Sequence, residues 1–343
     1  QNKITAMEEG IATAVFATGM AAIASTMLSL LRAGDHIVSS AFLFGNTNSL
    51  FGTFQNLGIE VTFVDATDVV EVKSAIKENT RLVFVETIAN PVTQIADLAG
   101  IGALCKSKNL IFCVDNTMTS PHLFLPKSVG ASFSVNSLTK YIGGHGNALG
   151  GAITDTGLFD WTSFANIYEN YKNQDSQLWG ITQVRKKGLR DIGASLGPEA
   201  AHHLAVGSET LSLRMNQACS NAQKVAEFCA QHPKVKQVYY PGLPTHPQHG
   251  RAKELFNGFG SVMSIDLVEG VDCFDVLNAM DNIVSSSNLG DTRTLAIPVA
   301  HTIYYEMGAE RRASMGIADS MIRFSIGIEE VEDLLADFKK ALA

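Results

Sequence analysis

The sequence lacks the features of a membrane protein, and positive charge is not in excess. No apolar run reaches the roughly 18 residues that a membrane-spanning helix needs. The longest candidate, residues 21–31, is interrupted by serine and threonine and is followed by a charged turn. A net charge of -8 argues against nucleic acid or an anionic membrane surface as the main partner. We therefore expect a soluble protein that acts on small molecules.

Cysteine is scarce, and no metal-binding motif is evident. The five cysteines form no Cys-x-x-Cys pair, and most lie in apolar patterns such as residues 110–114. We interpret them as buried, reduced thiols, which predicts a cytoplasmic protein. The histidine pairs within residues 202–203 and 246–249 have no carboxylate or cysteine that completes a metal site. We therefore predict that no metal is bound.

The first half of the chain alternates strand-like and helix-like segments. The predicted strands cover residues 36–40, 60–64, 81–86, 110–115, 133–136 and 150–154. One helix is opened by residues 17–20 and runs through residue 31, and further helices cover residues 50–57, 69–77 and 97–106. This alternation predicts a mostly parallel sheet with helices on both faces. Ligands of such a sheet bind at the carboxyl ends of its strands.

The second half predicts a smaller α+β unit of antiparallel character. Residues 159–197 have weak periodicity and are interpreted as an excursion, in which the basic run at residues 185–190 is typical of a solvated face. A long helix is predicted from residue 200 to residue 229. It is followed by strands at residues 235–240, 261–267, 283–287 and 321–328, a helix at residues 273–280 and a final helix from residue 331.

The length of 343 residues favours two domains. We place them at residues 1–199, a large cofactor-binding domain, and residues 200–343, a smaller C-terminal domain. A helical pattern of Ile4, Met7 and Ile11 begins directly after Gln1. We therefore expect that an N-terminal segment of the protein precedes this sequence.

Residues 137–146 carry the clearest sign of chemistry. Lys140 stands between the hydroxyls of Ser137 and Thr139 and a glycine-rich turn, in a loop between two predicted strands. Burial lowers the pKa of a lysine, so such an amine can attack a carbonyl, for example that of an aldehyde cofactor. The ordinary alternative is a solvated surface lysine. His145, in the same turn, either touches the site or is structural.

Two other segments supply polar groups at predicted strand ends. Gly19 and Met20 open a helix, where backbone amides can approach a phosphate at the positive helix terminus. Residues 86–91 place an acid and the amide of Asn90 on a turn fixed by proline. Taken alone, a glycine before a helix indicates only a turn.

An acid and an aromatic ring complete the set. Asp115 ends an apolar strand in a carboxylate, which either caps a helix or holds a proton on a heteroaromatic nitrogen. Phe44 offers a face on which such a ring can stack. A phosphate site, a buried acid, an aromatic ring and the Lys140 amine together fit pyridoxal phosphate.

In these motifs the chain resembles the Cys/Met-metabolism family of pyridoxal phosphate enzymes. That family includes cystathionine γ-synthase, the O-acylhomoserine sulfhydrylases, methionine γ-lyase and the cystathionine lyases. The resemblance covers essentially all 343 residues and is most specific at residues 17–20, 86–91, 114–117, 137–146, 288–291 and 322–329. It implies a type I aminotransferase-like α/β fold with a smaller α+β C-terminal domain. It also implies a homotetramer that is built from dimers, in which the two subunits of a dimer share their active sites.

The resemblance assigns roles to individual residues. It implies that Lys140 is the catalytic lysine and binds the cofactor aldehyde, and that Asp115 partners the ring nitrogen. The cofactor-binding residues that it implies are Gly19, Met20, Phe44, Asn90, Asp115, Thr117, Ser137, Thr139 and Lys140. The amides of Gly19 and Met20 and the hydroxyls of Ser137 and Thr139 would bind the phosphate, and Asn90 would reach the ring hydroxyl. The implied substrate-binding residues are Asn288, Leu289 and Arg323, where the arginine clamps the substrate carboxylate.

The chain departs from the family pattern near the substrate. Phe44 stands where many members carry a stacking tyrosine, so the ring is retained and the hydroxyl is lost. The Tyr-x-Arg segment of the family, which reaches the neighbouring subunit's phosphate, would precede Gln1. Residues 297–305 differ from the His-Pro-Ala run that is usual near the substrate. Within them, His301, Tyr304 and Tyr305 either line the substrate pocket or serve packing.

The leading hypothesis is γ-replacement on an O-acylhomoserine by sulfide or cysteine, which gives homocysteine or cystathionine and serves methionine biosynthesis or transsulfuration. Elimination by a methionine γ-lyase or a cystathionine γ- or β-lyase is the alternative. Asn46, where methionine γ-lyases tend to carry a cysteine, argues against the former. A binding protein that keeps the fold without catalysis is the alternative outside enzymes, and retention of Lys140, Asp115 and Arg323 argues against it.

Overall fold

The computed structural model describes residues 1–173 and 175–343, which form two compact units. The first unit comprises residues 1–87, 95–139 and 147–206, and the second comprises residues 88–94, 140–146 and 207–343. Two short segments from the N-terminal half of the chain therefore belong to the second unit. The predicted domain division between residues 199 and 200 stays a prediction.

The first unit is built on a seven-stranded sheet with the order β1-β7-β6-β5-β4-β2-β3. Its strands are β1 (Ala12–Phe16), β2 (His36–Ser40), β3 (Glu60–Val64), β4 (Thr80–Glu86), β5 (Ile111–Asp115), β6 (Phe133–Ser137) and β7 (Gly151–Asp155). Strand β7 pairs antiparallel with β1 and β6, and the other pairings described in this sheet are parallel. The predicted mostly parallel sheet is confirmed.

Helices connect and flank these strands. They are α1 (Asn2–Met7), α2 (Gly19–Leu30), α3 (Gly45–Asn56), α4 (Val69–Ala75), α5 (Leu98–Lys108), α6 (Ser120–Leu123), α7 (Trp179–Gln183) and α8 (Pro198–Gly207), with a π-helix at Val184–Arg190. Side-chain caps define several starts, because a side-chain oxygen accepts an N–H group that the first turn leaves without a partner. Thr18, Asp68 and Asp97 cap α2, α4 and α5 in this way.

The second unit contains a five-stranded sheet with the order β10-β11-β12-β9-β8. Its strands are β8 (Val235–Tyr239), β9 (Val262–Leu267), β10 (Val284–Ser285), β11 (Leu295–Pro298) and β12 (Ile322–Ser325). Its helices are α9 (Leu211–Ala230), α10 (His249–Leu255), α11 (Cys273–Asn278), α12 (Ala309–Ser314) and α13 (Val331–Ala341). Every pairing in this sheet except that of β10 with β11 is antiparallel, as predicted.

The predicted excursion contributes to the core of the first unit. Trp161 is 1% exposed and packs edge-on against Phe159 and Phe164, with centroid distances of 4.7 and 5.7 Å. Arg185, in the basic run, is not fully solvated, since its Nη2 donates to Thr13 O at 2.8 Å. Aromatic residues without periodicity thus fill the interior in and around the short 3-10 helix at Trp161–Ser163.

Two helix predictions were wrong in extent. The first helix ends at Met7, and Ile11 precedes β1, because Glu9 adopts a φ of 51° and Gly10 packs against β7 where a Cβ would lie 2.3 Å from Thr154 Cγ2. The long helix expected from residue 200 is interrupted by a 3-10 turn at Ser208–Thr210. Gly207 sits so close to Gly143 O that a Cβ would lie 2.0 Å away.

Several elements were not predicted from the sequence, namely β1, β11, α6, α7, α10 and α12. Most are short, so few residues are available to establish a period. No helix in the described part of the chain combines the length and the hydropathy needed to cross a membrane.

Candidate active site

Two carboxylates end neighbouring strands of the first unit, of which Glu86 is buried and Asp115 is half-buried. Glu86 ends β4 and Asp115 ends β5, and the sheet register places them side by side. Glu86 Oε1 accepts the N–H of Phe44 at 2.7 Å, and Asp115 Oδ1 accepts the N–H of Thr117 at 2.9 Å. Burial raises the pKa of both carboxyls, and the charge of Asp115 raises the pKa of Glu86 further. Glu86 is therefore the weaker acid of the two, and Asp115 is the stronger.

Phe44 precedes α3, and its backbone is fixed by that hydrogen bond to Glu86. The side chain is 39% exposed, so part of the ring is accessible. An open aromatic face beside a buried acid can stack a flat heteroaromatic ring. The sequence had indicated the ring, but not the acid that anchors its backbone.

The start of α2 forms a tight cradle with the end of β6. A Cβ on Gly19 would lie 2.8 Å from Ser137 Cβ and 3.0 Å from Ser137 Oγ, so only glycine fits this approach. Gly19 and Met20 are the first residues of α2, where N–H groups lack intrahelical acceptors and favour an anion. The N–H of Ser137 donates to Thr117 Oγ1 at 2.8 Å, which fixes the end of the strand.

Thr139 lies two residues after Ser137. Its Oγ1 accepts the N–H of Gly150 at 3.0 Å and lies 3.3 Å from Gly150 O. The Thr139 hydroxyl is therefore already hydrogen-bonded to the backbone of Gly150, at the other end of the loop.

The catalytic lysine predicted from the sequence belongs to the second unit. Lys140 lies in the loop between β6 and β7, and its Nζ donates to Asn288 Oδ1 at 2.5 Å. Burial, with a smaller contribution from the positive charge of Arg323, lowers the pKa of Lys140 to about 8. At one pH unit below this pKa, roughly a tenth of the Lys140 amines are therefore uncharged, a far larger fraction than for a solvated lysine. A nucleophile for an aldehyde is present at neutral pH.

Arg323 is a buried cation in β12, with 1% of its surface exposed. Its Nη2 donates to Ser287 O at 3.1 Å and to Asn288 O at 2.8 Å. Its Nε is buried without a partner, and no carboxylate pairs with it among the described residues. Burial lowers its pKa to about 10. Because an unpaired buried charge is costly, the site is arranged for an anionic ligand.

The other predicted residues of the second unit occupy defined positions. Asn90 is buried before a cis peptide bond to Pro91, and its Oδ1 has no partner within the described chain. Leu289 is 7% exposed and follows Asn288 directly. Of His301, Tyr304 and Tyr305, only Tyr304 is buried. It donates its hydroxyl to Asn90 O at 2.6 Å.

His145, His301 and Tyr305 make none of the contacts described above. His301 is exposed and lies 3.0 Å from Asp319 O, and Tyr305 is 68% exposed. His145 is bound to Gly143 O at 2.7 Å, as in a structural turn. Across the described residues, no three His, Cys, Asp or Glu side chains converge as metal ligands.

The two sets of residues fit the groups of pyridoxal phosphate. The first unit offers a pair of carboxyls with raised pKa, a partly exposed aromatic ring and a helix start that admits no Cβ. The second offers a desolvated amine, the orphaned amide oxygen of Asn90 and an orphaned guanidinium nitrogen. The first three match a pyridine nitrogen, a flat ring and a phosphate, and the last three match an aldehyde, a ring hydroxyl and the carboxylate of an amino-acid substrate.

Comparison with known proteins agrees with this chemistry. The sequence profile of the family described as Cys/Met metabolism PLP-dependent enzyme matches residues 1–343. The chain is 40% identical to the L-methionine gamma-lyase of Fusobacterium nucleatum subsp. polymorphum, over all of this chain and 82% of that protein. It is 34% identical to the O-acetyl-L-homoserine sulfhydrylase of Leptospira meyeri, with the same coverage of 100% and 82%.

A solved structure shows the same fold. The O-acetylhomoserine sulfhydrylase of Wolinella succinogenes superposes with a TM-score of 0.91 at 35% identity, over 100% of this chain and 95% of that one. At this similarity, fold and cofactor class are shared.

Proposed function

The chain belongs to the Cys/Met metabolism PLP-dependent enzymes, and from that premise we propose that it catalyses γ-replacement on an O-acylated homoserine. Its cofactor is pyridoxal phosphate, and it is an enzyme of sulfur amino-acid metabolism that works by elimination or replacement at the γ-carbon. Sulfide or cysteine is the proposed nucleophile, and homocysteine or cystathionine the product. Assembly as a homotetramer with shared active sites is part of this proposal.

When bound, pyridoxal phosphate supplies an aldehyde that couples to an amine and a protonated ring that accepts electrons. We assign Asp115 to keep that ring nitrogen protonated, because burial and the charge of Asp115 raise the pKa of Glu86 further, which leaves Asp115 the more acidic of the pair. Phe44 would stack on the ring, and the amides of Gly19 and Met20 would bind the phosphate together with the hydroxyl of Ser137.

Lys140 is assigned the proton transfers at the substrate. Its amine would bind the cofactor aldehyde and, when free of it, would remove the proton at the α-carbon of the substrate. A pKa of about 8 suits this task, since the base is partly free at neutral pH and its conjugate acid can return the proton. Asn288 Oδ1, at 2.5 Å, aims the amine.

Arg323 is assigned to the substrate carboxylate. Its guanidinium is held by the carbonyls of Ser287 and Asn288, and its Nε remains without a partner among the described residues. A carboxylate would satisfy that nitrogen and neutralise a buried charge. This fixes the amino-acid end of the substrate and leaves the γ-substituent as the variable part.

The observation that favours replacement on an O-acyl substrate is the absence of a hydroxyl at Phe44. A thiolate is roughly four pK units more basic than a carboxylate, so expulsion of a thiolate needs a proton donor. An acyloxy group leaves as a carboxylate and needs none. The stacked side chain at this position cannot donate a proton, which suits an O-acylhomoserine better than a thioether.

Elimination from methionine is the second candidate. It is favoured by the 40% identity to an L-methionine gamma-lyase over the whole chain. The two reactions share the steps assigned to Lys140, Asp115 and Arg323, and they differ in the leaving group and in whether a nucleophile is required.

The deciding experiment offers the purified enzyme O-acetylhomoserine, O-succinylhomoserine, cystathionine and methionine in parallel, each with and without sulfide or cysteine. We expect homocysteine or cystathionine from an O-acyl substrate only when the nucleophile is present. The release of α-ketobutyrate from methionine without a nucleophile, at a rate equal to or above that of replacement, would overturn the proposal.

Two variants sharpen this test. Lys140→Ala should lose the visible absorption band of the bound cofactor and at least roughly 10³-fold in rate, because both the covalent link and the base are removed. Phe44→Tyr restores a hydroxyl on the same ring, so it should raise the rate with thioether substrates relative to O-acyl substrates. An unchanged ratio in Phe44→Tyr would remove the argument from the leaving group.

A further inference from the structure

The turn that carries Asn90 is held by side chains from three separate parts of the second unit. Tyr304 donates its hydroxyl to Asn90 O at 2.6 Å, and Ser264 in β9 donates to Pro91 O at 2.8 Å. Thr93 Oγ1 lies 3.3 Å from His246 Nε2. Two successive carbonyls of this turn are therefore each bound by a hydroxyl from a distant stretch of the chain.

Apolar packing holds the same turn. Val92 packs against the buried cluster of Ile297, Val299, Ala300, Tyr304, Ile317 and Met321. Tyr304 is itself 2% exposed, so its ring is part of the cluster and its hydroxyl is directed at the turn. Because the interior is close-packed, the ring and the turn can move only together.

The hydroxyl of Tyr304 controls a backbone group directly next to a binding side chain. Asn90 Oδ1 is buried without a partner among the described residues, while Asn90 O accepts the hydroxyl of Tyr304. Loss of the hydroxyl would leave a second buried oxygen of the same residue unpaired, which favours rotation of the Asn90 peptide. Any such rotation re-aims the Asn90 amide.

We propose that Tyr304 is a positioning residue that sets the aim of the Asn90 side chain toward the cofactor ring. The inference rests on the proposed role of Asn90 in binding the ring hydroxyl. It gives a function to the unusual segment of residues 297–305, in which the hydroxyl of Tyr304 acts through Asn90 and does not touch the reacting atoms.

The test measures cofactor affinity by titrating apo-enzyme with pyridoxal phosphate and following the visible absorption band. Tyr304→Phe removes one oxygen and keeps the ring in the apolar cluster. We expect this variant to bind the cofactor roughly tenfold more weakly, the factor associated with one lost hydrogen bond, and to shift the band position. Tyr305→Phe is the matched control, because that neighbouring side chain is 68% exposed, and it should bind like the parent enzyme.

A double-variant cycle separates positioning from general packing. In an Asn90→Ala background, Tyr304→Phe should have no further effect on cofactor affinity, because the amide that it aims is gone. If the two losses multiply, Tyr304 acts independently of Asn90 and the proposal is wrong. It is also wrong if Tyr304→Phe binds the cofactor with parental affinity and an unshifted band.

The thermal midpoints of the apo-proteins distinguish a folding defect from a binding defect. We expect Tyr304→Phe and Ser264→Ala to lower the thermal midpoint similarly, because each removes one hydroxyl that donates to a carbonyl of this turn. Only Tyr304→Phe should weaken cofactor binding tenfold. Equal weakening by both variants would show that the turn as a whole matters and would overturn a specific role of Tyr304. These readouts require no turnover, so they stand apart from the outcome of the substrate panel.

Discussion

At the scale of single residues, the reactivity of Lys140 follows from its burial. An ammonium in a desolvated loop is disfavoured, and the nearby Arg323 disfavours it further, which lowers the pKa of Lys140 to about 8. The hydrogen bond to Asn288 keeps the amine directed even when it is neutral. The sequence indicated the position of this lysine, and the neighbouring arginine explains part of its acidity.

The rate at which apo-enzyme captures pyridoxal phosphate should therefore rise with pH and level off above about pH 8. Only the neutral amine attacks an aldehyde, and a lowered pKa means that this form is fully populated only above that pKa. Stopped-flow absorbance across pH 6–10 measures it. Arg323→Gln should move the midpoint to higher pH, because one of the charges that lowers the pKa of Lys140 is removed.

Arg323→Lys keeps the positive charge and serves as the control, with a midpoint near that of the parent enzyme. A capture rate that is flat between pH 7 and pH 9 would contradict the assignment of Lys140 as a desolvated amine.

At the scale of elements, the proposed phosphate site lies at the junction of α2 with β6. The helix begins at Gly19 because Thr18 caps it, accepting the N–H of Ala21 at 3.0 Å. Ser137 ends the strand opposite, so close that Gly19 has no room for a side chain. Cap, helix start and strand end are thus fitted to one another.

Gly19→Ala should weaken cofactor binding at least roughly tenfold and lower the free energy of unfolding by about 1–3 kcal/mol, because the added Cβ collides with Ser137 Cβ at 2.8 Å. Cofactor titration and urea unfolding measure both quantities. The same substitution at Gly52, inside α3, meets no atom within 4 Å.

Gly52→Ala should raise the free energy of unfolding by about 0.5–1 kcal/mol through helix propensity and leave cofactor affinity unchanged. Parental affinity in Gly19→Ala would show that the tight approach at the start of α2 is not needed for binding the phosphate.

At the scale of the whole molecule, the first unit is tied together by a buried acid that the sequence did not reveal. Glu8 follows α1 and is 1% exposed. Its Oε1 accepts Asn116 Nδ2 at 3.1 Å and Asn136 Nδ2 at 2.5 Å, directly beside the ends of β5 and β6. Its Oε2 is buried without a partner among the described residues. Burial raises the pKa of Glu8 to about 7.

The stability of the protein should therefore depend on pH through Glu8. The folded chain holds this proton up to about pH 7, whereas the unfolded chain loses it near pH 4.5. The contribution is fully present below pH 4.5 and is lost as pH rises through 7, because folding then buries a charge. Between pH 5 and pH 8, the free energy of unfolding of the parent protein should fall by about 2–3 kcal/mol relative to that of Glu8→Gln, as measured by urea unfolding.

Glu8→Gln is the suitable reference, since its amide oxygen can still accept from both asparagines and carries no charge at any pH. If the stability difference between the two proteins is the same at pH 5 and pH 8, Glu8 does not titrate in this range.

The sequence alone was sufficient for features that local patterns encode. Alternation of strand-like and helix-like segments predicted the mostly parallel sheet, and β2 and β3 occupy the predicted residues. The loop position of Lys140 and the strand end at Asp115 followed in the same way, because each depends on neighbours within a few residues. The family resemblance rested on these same local motifs.

Tertiary structure decided the contacts between residues that are far apart in the chain. Glu8 meets Asn116 and Asn136 across 108 and 128 residues, and Tyr304 meets Asn90 across 214. The pairing of Glu86 with Asp115 depends on strand register. No local period encodes such distances, because register and close packing arise only when the whole unit folds. The sequence thus indicated which residues are candidates for the chemistry, and the fold determined what each of them touches.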